Sequence, residues 1–148
     1  MMRPGIYTVL NGYFESRRDY GVIFLRLIIG WRLIDGTQDN ILSWERMIEF
    51  RNFLEQHHVA YPLVAATVSV YAQFLCGILY ILGLFIRPAA VIMIFNFIVA
   101  LIIVHIGTTF QQSFEALMMF FGSIFFLFAG AGKISMDNWL QSHKKIQN

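Results

Sequence analysis

From Pro62 to Ile106 the chain carries a single formal charge, Arg87, which is followed at once by Pro88. A helix crossing the hydrocarbon core of a bilayer takes about 20 apolar residues. This stretch is therefore long enough for two crossings and has one natural break, at Arg87-Pro88. Pro62–Ile86 is wholly uncharged, and Pro88–Ile106 has only Asn96 and His105 as strongly polar members. Both runs open on proline, whose missing N–H costs nothing in the first turn of a helix. With Arg87 alone between them, they are expected to form a tight antiparallel hairpin. A further span is predicted over Phe114–Ala131, which carries Glu115 near its start and is otherwise apolar except for small residues.

A fourth crossing is predicted over 20–35, on a weaker balance. About ten apolar residues at roughly −0.5 kcal/mol each are opposed by Arg26, at about +3 kcal/mol near the centre, and by Arg32 nearer the edge, leaving insertion close to break-even. Topology favours the span, because without it the loop that follows would share a side with the basic N-terminal segment. The expected architecture is all-α: an integral membrane four-helix bundle forming one domain, 1–148. Composition agrees. Charged residues are 14% and hydrophobic residues 57% of the chain, whereas a water-solvated domain carries about 25% charged residues. The net charge of +2 is too small and scattered for nucleic-acid binding.

Lys and Arg outside the spans set the orientation. Arg3, Arg17, Arg18, Arg87, Lys133, Lys144 and Lys145 fall on one side, and only Arg46 and Arg51 on the other. The positive-inside rule then puts both termini in the cytoplasm, as expected of a multi-pass protein of the cytoplasmic (inner) membrane. The N-terminal residues show no continuous apolar core or cleavage site and are not read as a signal peptide. The extracytoplasmic loop 37–61 is too long for a turn. Trp44, Met47, Ile48 and Leu54 share one helical face, and Ser43 is placed to cap it, so a short amphipathic helix is expected on the outer surface. Ile6, Leu10, Tyr13 and Phe14 make a weaker pattern of the same kind in the N-terminal segment, and 132–148 forms the cytoplasmic tail.

Depth can be assigned at about 1.5 Å per helical residue. Arg26, Gln73 and Asn96 are expected near the midplane, and Arg32, Asp35, His105 and Glu115 nearer the outer face. Polar groups in hydrocarbon turn inward, toward each other or toward a cavity. One reading makes these two layers structural glue, with Arg26 satisfied by amides and carbonyls and Arg32 paired to Asp35 or Glu115. The other makes them the lining of a pocket, open to the outer leaflet, for a small amphiphile such as a quinone. Arg26, Gln73 and Asn96 would donate to its carbonyls, and His105 and Glu115 would exchange protons.

Other chemistries lack their residues. One cysteine, Cys76, excludes an internal disulfide, a CxxC couple, a thiolate zinc site and an iron–sulfur cluster. Within an apolar run it reads as a small hydrophobe. Of the four histidines only His105 approaches a span, against a b-type haem. HExxH, Walker, GxSxG and dinucleotide-binding motifs are absent from the sequence. No metal site and no covalently bound cofactor are expected. Any redox role would need a diffusible carrier such as a quinone, or a partner protein that holds one.

Three blocks, LRLIIGWRLIDG (25–36), VYAQFLCGILYILGLFIRPAAVIMIFNFIVAL (70–101) and GAGKISMDNWL (130–140), resemble the DoxX family of small four-helix membrane proteins. Gly36, Arg87, Pro88, Gly130, Gly132 and Lys133 carry much of the likeness. Many members have His before the first-block glycine and Lys shortly after it; here Asp35 precedes Gly36, and Gln38 and Asp39 follow. The resemblance implies a four-helix bundle in the cytoplasmic membrane, in some members partnered with soluble or peripheral redox proteins. The family includes the small subunit of thiosulfate:quinone oxidoreductase. The function expected is a quinone-interacting or accessory subunit of a membrane redox system. The alternative is a non-enzymatic scaffold or lipid-binding module in the bilayer. A transporter is a third reading and would need a homo-oligomer, since four helices enclose little space.

Overall fold

The computed structural model of the protein describes residues 6–15, 17–104 and 106–146, so Arg3 and His105 lie outside the described residues. Among those residues there are seven α-helices and no strand: α1 (Ile6–Glu15), α2 (Arg18–Leu42), α3 (Trp44–Gln56), α4 (Pro62–Leu82), α5 (Ile86–Ile103), α6 (Phe110–Ala129) and α7 (Met136–Ile146). Three of them, α4, α5 and α6, are long and apolar enough to cross a membrane.

The helix ends differ from the expected spans for local reasons. Helix α4 starts on Pro62 as predicted but stops four residues before Ile86, because Gly83 takes a left-handed conformation (φ 68°). The Gly83 N–H then bonds to Tyr80 O at 3.2 Å and the Leu84 N–H to Leu79 O at 3.0 Å, the paired closure that glycine just past a helix end allows. The break between the two apolar helices is thus Gly83-Leu84-Phe85, and Arg87, expected as the sole separator, lies in the first turn of α5. Pro88 is the third residue of α5, where its N–H would still have no helical partner. Helix α6 starts at Phe110, before the expected Phe114, because the Gln112 side-chain oxygen accepts the Thr109 N–H at 3.1 Å, one half of a capping box.

The largest difference is in α2, which continues through Gly36 to Leu42, so that much of the polar segment read as loop is helical. The Thr37 hydroxyl donates to Leu33 O at 2.6 Å, which satisfies it within the helix. At Gly36 a Cβ would lie 2.6 Å from Nη1 of Arg32, so glycine here makes room for a guanidinium. Helix α3 appears where an amphipathic helix is expected. Ser43 holds its N-cap position without a side-chain cap bond. Its packing face is Met47, Phe50 and Leu54, set against Ala66 and Val70 of α4, whereas Trp44 is exposed.

Helix α2 lies broadly on α4 and α5 on α6, and narrower seams join α4 to α5 and α2 to α6. The first pair is set by two facing glycines. A Cβ on Gly30 would lie 2.7 Å from Gly77 O, and one on Gly77 would lie 2.8 Å from Gly30 O. Small residues permit such backbone approach, which replaces the hydrophobic drive that lipid cannot supply. Gly122 of α6 likewise makes room for Ile29. The core between the pairs contains Ile29, Leu33, Cys76, Tyr80, Met93, Phe97, Met119 and Phe126. Phe24, Ile28, Trp31, Val68, Phe95, Phe121 and Phe128 face outward, so the apolar surface wraps the bundle's flanks.

A bulky side chain at the glycine contact should separate α2 from α4. Gly30→Leu is expected to lower stability by about 1–3 kcal/mol, the range for overpacking, read as a lower melting temperature in detergent. Gly12→Ala, where a Cβ meets nothing within 4 Å, should have little effect.

Candidate functional site

The two ends of the bundle are built differently. At the end that holds the α4–α5 turn and α7, Arg26 is 3% exposed and its guanidinium is shared among four carbonyls. Nε donates to Tyr80 O at 2.9 Å, Nη1 to Ala131 O at 2.8 Å and to Ile134 O at 2.9 Å, and Nη2 to Ile81 O at 3.0 Å. Two of these acceptors belong to the last turn of α4, at the negative end of the helix dipole, and one of them, Tyr80 O, also accepts the Gly83 N–H. The others belong to the link after α6, where Gly130 (φ 71°) and Gly132 (φ 75°) let the chain curl back. The guanidinium also packs against Gly83.

The same end is tied twice more. Asp137 accepts the Phe85 N–H at 2.9 Å and the Ile86 N–H at 3.2 Å, capping α5 from α7. Asp19 accepts the Lys133 N–H at 3.2 Å, with Lys133 Nζ at 3.7 Å.

Arg26 therefore does not share a layer with Gln73 and Asn96. Gln73 lies two helical turns, about 10 Å, from Tyr80 along α4. Side-chain direction widens the separation. Helical side chains lean toward their own N-terminus, and α2 and α4 are antiparallel, so Arg26 and Gln73 lean apart. Gln73 Nε2 donates to Ser69 Oγ at 3.0 Å, and Ser69 Oγ donates to Asn96 Oδ1 at 2.8 Å, a polar ladder joining α4 to α5.

Gln73 also lines a cavity of about 330 Å³ in the half of the bundle nearer α3. Gly36, Thr37 and Asn40 of α2, Phe50 of α3, Val70 of α4, Phe97 and Ala100 of α5, and Gln112, Glu115 and Ala116 of α6 complete the lining. The Glu115 carboxylate is paired with Arg32 across the α2–α6 seam, and Arg32 also lies 3.7 Å from Asp35. Of the seven predicted ligand residues, the structure thus gathers Gln73, Glu115, Arg32, Asp35 and Asn96 at or beside one cavity, puts Arg26 at the opposite end, and leaves His105 outside the described residues. Thr37, Asn40, Phe50 and Gln112 were missed. The first three were assigned to the loop or the surface helix, and Gln112 to the turn before the last span. Of the motif residues, Gly36 lines the cavity, while Arg87, Pro88, Gly130, Gly132 and Lys133 all lie at the α7 end.

No group of three or more His, Cys, Asp or Glu among the described residues could hold a metal ion. The cavity could instead take a flat, partly polar molecule. It has amide donors in Gln73 and Gln112, a carboxylate acceptor in Glu115 and aromatic walls in Phe50 and Phe97, within the size range of small-molecule pockets.

Apolar helices of spanning length, an outward-facing apolar belt and polar groups turned inward define a helical membrane protein. The chain belongs to the DoxX family, whose model matches residues 21–106. The match covers α2 to α5 and stops before α6, so Gly130, Gly132 and Lys133 lie beyond it. No curated protein and no solved structure matches the chain.

Replacing Arg26 would take a donor from four carbonyls together, of which Tyr80 O keeps the Gly83 N–H. Arg26→Met is expected to cost about 3 kcal/mol or more, at least the strongest single charge-assisted bond. Arg26→Lys should rescue little, because an ammonium lacks the planar fork that reaches acceptors on two sides. Thermal unfolding of the purified variants in detergent measures both.

Proposed function

We propose that the chain crosses the cytoplasmic membrane four times with both termini inside, and that its cavity takes the head group of a quinone as an accessory subunit of a membrane redox system. The fourth crossing is α2. Tyr20, Phe24, Leu27, Ile28 and Trp31 are exposed along it, a stripe suited to lipid, while its one deeply buried charge, Arg26, is saturated. Its pairing with α4 through Gly30 and Gly77 runs along the middle of an apolar helix, so α2 and α4 share one depth. The basic α7 end then faces the cytoplasm by the positive-inside rule, and the cavity opens in the outer half beneath α3.

The observation that carries the quinone reading is the cavity's set of polar groups. A quinone accepts hydrogen bonds at two carbonyl oxygens, and its reduced form must donate from the same positions. Gln73 spends one of its amide hydrogens on Ser69 and keeps one for a ligand. The oxygen of Gln112 is occupied by Thr109, which points its NH2 outward as a donor. Glu115, whose carboxylate is paired with Arg32, offers an oxygen to a hydroxyl and a route for its proton toward the outer face. The quinone would supply two-electron chemistry, with electrons exchanged through a partner protein.

A second reading, a non-enzymatic scaffold or lipid-binding module, is favoured by the α7 end, where Arg26, Asp19 and Asp137 are committed to holding helices together.

Binding of ubiquinone and menaquinone to the detergent-purified protein separates these readings. We expect quenching of intrinsic tryptophan fluorescence on titration, and a roughly tenfold weaker Kd, about 1.4 kcal/mol, for Gln73→Leu and for Glu115→Leu. A protein that takes up neither quinone, or variants that bind as wild type does, would leave only the scaffold reading.

Topology has its own test. Cys76 is buried and gives little labelling background, so a single introduced cysteine reports its side. His58→Cys should react with a membrane-impermeant maleimide in intact cells, and Asn138→Cys only after lysis. Labelling of both in intact cells would exclude the proposed arrangement.

A further inference from the structure

A second cavity, of about 200 Å³, lies at the α7 end between the first turn of α5, the end of α6 and α7, with Arg87, Gly130, Gly132, Ser135, Asp137, Asn138 and Gln141 among its lining residues. Its one basic group is Arg87. The Arg87 Nε donates to Leu127 O at 3.3 Å, which stretches the side chain across the α5–α6 seam, and the guanidinium lies flat over Gly130, with Nη2 3.5 Å from where a Cβ would be. The guanidinium is fixed at one nitrogen, and among the described residues it has no carboxylate within ion-pair distance.

The remaining polar groups are unevenly committed. Ser135 Oγ donates to Gly132 O at 2.7 Å and Asn138 Nδ2 to Lys133 O at 2.9 Å. Both oxygens of Asp137, the only acid in the lining, are taken by the α5 amides. That leaves the Arg87 fork and the Gln141 amide facing the cavity. The helix N-terminus beside them is already capped and offers no anion site.

Outward along α5 from Arg87, at the four-residue spacing that aligns side chains on one helix face, come Val91 and Phe95, both exposed. A single molecule could thus meet a guanidinium at its head and a lipid-facing apolar stripe along its length. Guanidinium groups bind phosphate through paired hydrogen bonds, and basic pockets at the cytoplasmic side of membrane helices suit anionic head groups.

We propose that this cavity seats the phosphate of an anionic phospholipid, held by Arg87 with help from Gln141, with an acyl chain along Val91 and Phe95. The headgroup chemistry is independent of the quinone reading. Assignment to the inner leaflet rests on the proposed topology, which the cysteine labelling tests separately.

The test is native mass spectrometry of the protein released from nanodiscs of equimolar phosphatidylglycerol and phosphatidylethanolamine. Wild type should retain phosphatidylglycerol over phosphatidylethanolamine by about fivefold, the preference one interfacial basic residue supplies. Arg87→Gln should fall to parity, Arg87→Lys should keep part of the preference, and Gln141→Ala should reduce it. Arg46→Gln, in α3 at the opposite end, should change nothing.

Should Arg87→Gln fail to fold, Arg87→Lys and Gln141→Ala carry the test, and a full wild-type preference in both overturns the proposal. Parity in wild type overturns it as well. Displacement of the lipid by inorganic phosphate alone would make the ligand a soluble phosphate and overturn the lipid assignment.

Discussion

The guanidinium of Arg26 holds together the parts of this protein that composition alone would leave loose. Helix α2 is the least apolar of the long helices, and the link between α6 and α7 lies outside both helices. Four carbonyls, two from the end of α4 and two from that link, converge on one side chain of α2. In hydrocarbon or at its edge, water cannot replace these partners at low cost, so the cation and the carbonyls need each other. The contact is therefore a consequence of solvent as much as of sequence. The same arginine in water would be held by little more than an ordinary surface interaction. Gly83, Gly130 and Gly132 serve this contact: one leaves space for the guanidinium, and the others let the link turn its carbonyls toward it.

That arrangement accounts for the difference between the two ends. At the α7 end the buried charge and the capping acids are consumed by intramolecular bonds, and α2, α4, α5 and α7 are pinned at one level. Toward α3, α2 and α4 are held by the Gly30–Gly77 contact, α4 and α5 by the Ser69 ladder, and α2 and α6 by one ion pair. The bundle is tied together at one end and encloses a cavity at the other, lined in part by Gln73 and Glu115.

Much of the architecture was legible in the residues. The uncharged run from Pro62, the apolar run after Pro88 and the Phe-rich run ending at Ala131 fixed three helices, because nothing but hydrocarbon or a large core accepts such segments. Met47 and Leu54 marked the packing face of α3. Depth was harder to read. Counting residues along each span put Arg26, Gln73 and Asn96 in one layer, but a long side chain carries its polar atoms several ångströms from its own Cα, and antiparallel helices carry them in opposite directions. The extension of α2 to Leu42 was hidden for a related reason. Gly36, Thr37, Gln38, Asp39 and Asn40 have the composition of a loop, yet they continue the helix, with Arg32 packed over Gly36 and Asn40 bonded to Arg46 O at 3.0 Å. Three of those five residues line the cavity, so an error about a helix end became an error about the site.

The Arg32–Glu115 pair closes the argument about what the open end can do. It is the ionic contact across the α2–α6 seam, both partners are partly exposed, and Glu115 belongs to the cavity wall. An exposed pair of this kind contributes little to stability, about 0–1 kcal/mol, so its presence is poorly explained by folding alone. Its effect on the cavity is larger. Arg32 fixes the position of the Glu115 carboxylate at the narrow α2–α6 seam. A ligand that donates to Glu115 would share the carboxylate with Arg32, which engages one of its two oxygens. The ion pair across the seam and the wall of the cavity thus meet at one side chain, Glu115.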